Sequence, residues 1–285
     1  MKKEEKIQYS TVEKQRLPLF APNTCSRSTA KTEKKIVIAQ NSHGEIIVEG
    51  EELNQTHRDV LDVFIATATV LQFTETTGRW IIAGNLYDVK KLLGTKNTEY
   101  ILSKLRDMMR TTITVKLTQE DETKKNIFSK TTTLISEFGY SETTFKNKKQ
   151  KNIRYFYVIF SKEFSELFKH DIVILADRQL LKDILSIESP FVKAVVRYIL
   201  SHQQVTITFS KLVDMVSGKG RSVKKQYRHL YKKQLLENEE FLKKIGINIK
   251  HEGNDLIIEY TQNKDLIYFQ MPNQEEQHAQ QKQLS

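Results

Sequence analysis

One order of elements can be read twice along this chain, and that repetition limits its fold more than any single motif does. In the first half, Val60, Val63, Phe64, Thr67, Ala68 and Leu71 recur at helical spacing and predict a helix over 54–71. A strand at 80–83 follows, then a helix from Asn85 to Gly94 and a helix over 98–110 capped by Asn97 or Thr98. Ile101, Leu105 and Met108 form the inner face of that last helix, and alternating strands come next at 112–117, 131–140 and 155–160. In the second half, Ser189 and Pro190 open a helix that runs to about His202, because proline suits a first helical turn. A strand at 205–209, a helix over 210–217 capped by Ser210, a helix over 221–236, and strands at 247–250, 255–260 and 266–269 complete it. Helix, strand, helix, helix and β-structure is the order of a winged helix. The pattern predicts an α+β chain of two tandem winged-helix domains with low residue identity between them.

The expected boundaries follow from composition. Residues 1–33 are polar, with Ser, Thr and Lys, and are expected as a disordered tail. Residues 34–175 form the first domain; it opens with a hairpin of strands at 36–39 and 45–48 and ends on a helix at 162–169 and a strand at 172–175. Residues 176–270 form the second domain, starting with a helix near 177–186, and the Gln-rich segment 271–285 is a second disordered tail. The single cysteine, Cys25, excludes an internal disulfide framework. No apolar run approaches the roughly 20 residues needed to cross a bilayer. These features imply a cytoplasmic protein, not a membrane one.

The strongest candidate for chemistry is the basic segment 218–236. On a helical wheel Arg221, Lys225, Arg228 and Lys232 share one face, while Val223, Tyr227 and Leu230 are expected to face the core. No acid occurs on the outer face before Glu237, so the stripe repels itself unless an anion sits against it. With a net charge of +10, the partner this predicts is double-stranded DNA, contacted by Arg221, Lys225, Arg228 and Lys232, with Lys219 and Lys224 at the edge. In the first half the equivalent helix carries Glu99, Ser103, Arg106, Asp107 and Arg110 outward, a mixed face. Lys96, Arg106 and Arg110 are its candidate DNA contacts, and the lysine-rich loop 146–151 adds positive potential. Asp59 and Asp62 are expected on a solvated face.

Enzyme signatures fail. A phosphate-binding loop ending at Lys219 would need glycine at position 213, which is valine, and Lys219 is followed by Gly220. The seven histidines show no metal-ligating pair, so no metal, cofactor or catalytic centre is expected. In the N-terminal tail, Leu17, Leu19 and Phe20 form one apolar cluster; it either docks on a partner as a short peptide or packs back on the body.

The chain from about Gln15 to Tyr260 resembles the TrfA-type plasmid replication initiators, a branch of the tandem winged-helix Rep proteins. The resemblance is carried by residues 49–55 followed by 59–63, by 134–138 and 164–168, by Ser201 and His202, and above all by Val223, Lys224 and Lys225. It implies a protein without a catalytic centre that binds iteron repeats at a plasmid origin and opens the adjacent AT-rich DNA. The host partners it implies are DnaA and the replicative helicase DnaB, and a monomer–dimer equilibrium is open to such a protein. The family also carries a tail peptide of QLxLF type that docks on the sliding clamp. Gln15, Leu17, Leu19 and Phe20 occupy the matching place, with Arg16 standing where the motif has glutamine. A transcriptional repressor on the same fold is the alternative reading.

Overall fold

A computed structural model describes residues 18–22, 34–41, 44–121, 124–143, 153–167, 178–202, 204–218, 223–253 and 255–261. The first half opens with a hairpin, β1 (Lys34–Asn41) and β2 (Gly44–Gly50), followed by helix α1 (Gln55–Ala66). A second hairpin, β3 (Ala68–Thr74) and β4 (Arg79–Asn85), leads into α2 (Leu86–Leu93) and α3 (Thr98–Arg110). Two more hairpins follow, β5 (Thr112–Asp121) with β6 (Lys124–Thr133), and β7 (Ile135–Thr143) with β8 (Ile153–Phe160), and then α4 (Lys162–Leu167). The second half contains α5 (Arg178–Ser186), α6 (Pro190–Leu200), β9 (Gln204–Thr208), α7 (Phe209–Ser217), α8 (Lys225–Glu237), α9 (Glu239–Lys244), β10 (Ile247–Glu252) and β11 (Asp255–Thr261). Among the described residues no helix is long and apolar enough to cross a membrane.

Sheet topology explains the repeated order. In the second half the sheet runs β10-β11-β9, so the strand ahead of the helix pair lies against the last strand, which folds back on its predecessor. In the first half β4, β8 and β7 repeat that arrangement, and β3 extends the sheet at the β4 edge. The hairpin β5–β6 is an addition between α3 and β7. It joins β1 and β2 in a separate antiparallel sheet, β1-β2-β5-β6. Local chemistry sets the breaks. Asn85 accepts from Tyr87 N–H (2.9 Å) to start α2, and Gly94, at φ +66°, ends it where an L side chain would be strained. At Gly139 a Cβ would lie 2.5 Å from the Tyr157 ring, which rests over the glycine and would have to swing aside for any larger residue.

Four expectations about elements change. The helix read through to position 71 stops at Ala66: Thr67 is its C-cap, making the last helical N–H bond to Val63 O (3.0 Å) while its Oγ1 adds a second bond to the same carbonyl (2.7 Å). Residues 68–74, rich in β-branched and aromatic types, pair with β4 instead. The strand read over 131–140 is two strands that part at buried Leu134, the first of them the end of β6, which pairs with β5. The cap of α7 is Thr208, which accepts from Lys211 N–H (3.4 Å), rather than Ser210, and α8 begins at Lys225 rather than 221. The strands expected at 172–175 and 266–269 and the basic loop 146–151 lie outside the described residues.

There are two apolar cores, one per half, and α5 contributes to both, Leu181 to the first and Ile184 to the second. The first core also takes in residues of the segment expected as a tail. Leu19 and Phe20 are only 1% and 6% exposed, and Ala21 N–H donates to Leu53 O at 2.8 Å. Between the halves lies a buried ion cluster, and it overturns the solvated reading of Asp59 and Asp62. Arg197 of α6 donates from Nη2 to Asp59 Oδ1 (2.6 Å), from Nε to Asp62 Oδ2 (2.9 Å) and from Nη1 to Gln55 Oε1 (2.6 Å). Lys193 adds a bond to Asp59 Oδ2 (2.7 Å), and Arg58 one to Asp62 Oδ1 (2.7 Å). Gln55, Arg58, Asp59 and Asp62 sit at spacings that share one face of α1, and Lys193 and Arg197 share one face of α6. The cluster also reaches the N-terminal strap: Gln55 Nε2 donates to Phe20 O (3.0 Å), and the Arg58 guanidinium lies 5.5 Å from the Phe20 ring centre.

These buried polar groups make two outcomes measurable. Arg197→Met leaves Asp62, which is fully buried, with only Arg58 opposite it. Asp59 and Asp62 would keep Lys193 and Arg58 but lose their hydrogen bonds from Arg197, each worth about 1.5–3 kcal/mol as a bond to a charged group, so the urea midpoint should fall; an unchanged midpoint shows that the cluster does not hold the halves. The second concerns His57, whose Nδ1 accepts Asn54 N–H (3.1 Å), leaving Nε2 to donate to Asp107 Oδ2 (3.1 Å). Burial pushes this imidazole below its ordinary value, beyond what the Asp107 hydrogen bond restores. The folded protein therefore keeps His57 neutral while the unfolded chain protonates near the ordinary value of about 6.5. Its contribution to stability is complete above that pH and falls as pH drops towards the folded value. Unfolding measured from pH 7 to pH 5 should lose stability in wild type more steeply than in His57→Gln.

Candidate nucleic-acid interface

Helices α7 and α8 of the second half are the pair to which the sequence assigns DNA contact. α7 buries Phe209, Leu212, Val213 and Val216, and Gly218, at φ +82°, turns the chain out of it. The rotation of α8 about its axis is set by two residues. Tyr231 stacks flat on Phe191 of α6, with ring centres 4.1 Å apart, and Leu235 is fully buried. Ser189 Oγ donates to Gln234 Oε1 (2.8 Å) and ties the start of α6 to the same side.

That rotation corrects the expected face. Tyr227 and Leu230, read as core residues, are 48% and 45% exposed. Arg228 turns towards α7, where Nη2 pairs with Asp214 and Nη1 donates to Ser210 O (3.3 Å). Lys232 is half-buried, and Lys224 and Lys225 are exposed with no ion pair among the described residues. Lys219 and Arg221 lie outside the described residues. The exposed residues of α8 are thus Lys225, Gln226, Tyr227, His229, Leu230 and Lys233, with Glu237 at its last position pairing with Lys233 (3.6 Å). Periodicity placed Tyr227 and Leu230 inside because α8 has apolar residues on two faces. The pair Tyr231 and Leu235, one turn apart, was the signal for the correct face.

Among the described residues the start of α8 is electrostatically open. Its N-cap, Lys224, makes no side-chain capping bond, and the first turn has no acid. Backbone N–H groups and the positive end of the helix dipole therefore lie beside two lysines, an arrangement that favours an anion.

In the first half α3 buries Ile101, Leu102, Leu105 and Met108, and Asn97 caps it by accepting from Tyr100 N–H (3.1 Å). Here Arg106 is engaged by Glu99 of its own helix in a two-point contact, whose hydrogen bond holds the Glu99 carboxyl below the usual carboxylate range. Lys96 and Arg110 are exposed at opposite ends of the helix. Lys104 lies 3.8 Å from Asp107, itself bonded to His57. The outer face of α3 is close to internally neutralised, while that of α8 is not.

Leu19 and Phe20, expected as clamp-docking anchors, are the buried strap residues described above; Gln15 and Leu17 lie outside the described residues. Among the described residues no group of three or more His, Cys, Asp or Glu side chains could hold a metal ion.

These features describe an α+β protein with two similar helix-and-sheet halves and a basic helix start on the second. Neither a protein-family profile nor a curated protein sequence matches the chain. Among solved structures, a crystal structure of selenomethionine-derivatised domains 2 and 3 of RctB aligns over 85% of this chain and 94% of that one, with a TM-score of 0.53 at 9% identity. A second crystal structure of RctB domains 2–3 aligns over 88% of this chain and 98% of that one, with a TM-score of 0.49 at 10% identity. The first likeness places the chain in the same fold.

The contrast between free and engaged cations on α8 can be measured. Replacing Lys224 and Lys225 by alanine should lower the slope of log affinity for DNA against log salt by about two, roughly one for each phosphate no longer neutralised, and leave the melting temperature unchanged. Arg228→Ala should lower the melting temperature by loosening α8 from α7. An unchanged salt slope in the double lysine variant assigns DNA binding to another surface.

Proposed function

We propose that this chain is a plasmid replication initiator that binds iteron repeats at an origin through two winged helices. The observation that supports this most is the likeness in fold to domains 2 and 3 of RctB, a replication initiator, across nearly the whole length of both chains. The open, uncapped start of α8 supplies the anion-binding surface such a role needs. In this reading α8 enters the major groove and carries most of the affinity, while α3 adds weaker contacts through Lys96 and Arg110. Linking two modules raises the effective concentration of the second once the first is bound. The Arg197 cluster would sharpen that effect by holding the two helices at one spacing.

Origin opening then draws on binding energy and DNA deformation, not on hydrolysis or strand cleavage. Host factors, DnaA and DnaB among them, are recruited to the opened site. Docking of Leu17, Leu19 and Phe20 on a sliding clamp belongs to this reading only if the strap first leaves the first core.

DNase footprinting on the DNA flanking the gene tests the proposal. Tandem protected direct repeats next to an AT-rich segment are the expected result. A single operator-like site, with no repeats, points to a repressor instead. Supercoiled plasmid carrying the repeats should remain unnicked after incubation with the protein and Mg²⁺; nicked circles would overturn the non-catalytic reading.

A further inference from the structure

The exposed ridge of α8 is not only cationic. Tyr227 and Leu230 keep nearly half of their surface in water although the inner face of the helix is already filled by Tyr231 and Leu235. Packing does not explain them. They occupy the first two turns of α8, with Gln226 beside them: Gln226 and Leu230 lie one turn apart, and Tyr227 and Leu230 are neighbours at i, i+3. No acidic residue occurs from Val223 to Leu236, so the apolar pair is set within a positive surface that complements a polyanion. A single convex helix also suits a groove about 12 Å wide.

The first turns of the second helix in such a pair are the part that reaches base edges. In the major groove the one apolar feature a base offers is the thymine C5-methyl group, and the amide of glutamine matches N6 and N7 of adenine. The geometry points to A·T pairs beneath the first two turns of α8, with thymine methyls received by Leu230 and Tyr227 and adenine read by Gln226. Lys224 and Lys225 hold the phosphates at the helix start, and Arg228, committed to Asp214, fixes the angle of the helix rather than reading a base. This inference rests on the proposed role of α8 in DNA binding and adds which bases it reads.

The test uses the full chain and the footprinted duplex made in two forms, one with thymine and one with uracil, which pairs identically but lacks the methyl. Wild type should bind the uracil duplex more weakly, by about fourfold for each methyl contacted. Leu230→Ala and Tyr227→Ala should each bind the thymine duplex less well and should discriminate less between the two duplexes; the double variant should not discriminate at all. Melting temperatures should fall only slightly, since both side chains are half in water. Equal affinity of wild type for the two duplexes overturns the inference, as does full discrimination in the double variant. In both cases retained sequence-specific binding leaves the proposed function standing. Absence of sequence-specific binding to the thymine duplex overturns both.

Discussion

The guanidinium of Arg197 decides how the two halves of this protein meet. It makes hydrogen bonds to Asp59, Asp62 and Gln55, three residues on one face of α1, while Lys193 and Arg58 complete the charges around them. Apolar surfaces of similar shape could slide past one another by a fraction of a turn at small cost. A planar fork with fixed donors cannot, because each displacement leaves a buried carboxylate without its partner. α1 and α6 occupy the same place in the repeated order of their halves, so fixing one against the other also fixes α3 relative to α8. The positions of the two outward helices are thus set by a contact that neither of them makes.

The repeated order of elements was legible in the sequence because its punctuation is local. Asn85, Gly94 and Asn97 bound α2 and α3, and Ser189 with Pro190 starts α6, and in each case residues close in sequence supply the hydrogen bond or the dihedral angle. The misreadings had partners that the sequence does not place nearby. Asp62 looks like any polar residue on a helix until it meets Arg197, 135 positions away. The end of α1 was hidden because Ala68 and Leu71 continue the helical spacing that the chain abandons at Thr67. For α8, two apolar stripes competed, and Phe191 of α6 selects the one that contains Tyr231. Period gives the existence of a helix; its rotation comes from whatever it packs on.

The same physics separates the two outward helices. Both carry an arginine that is neutralised, Arg106 within its own helix by Glu99 in α3 and Arg228 from the neighbouring helix by Asp214 in α8. What differs is the first turn. α3 starts with a capping asparagine and an acid, which satisfy its backbone donors and its dipole. α8 starts with lysine and no acid, which leaves those donors and that dipole to an external anion. Counting basic residues alone would miss this distinction.

The strap at residues 18–22 has a practical consequence for anyone cutting the gene. By composition the first 33 residues invite removal as a tail. A shortened protein starting at the first strand would lack Leu19 and Phe20, opening the side of the first core they cover, and Gln55 would lose the carbonyl that steadies its grip on Arg197. The damage would surface far from the cut, as loosened coupling between the halves. An expressed fragment therefore has to keep residues 18–22.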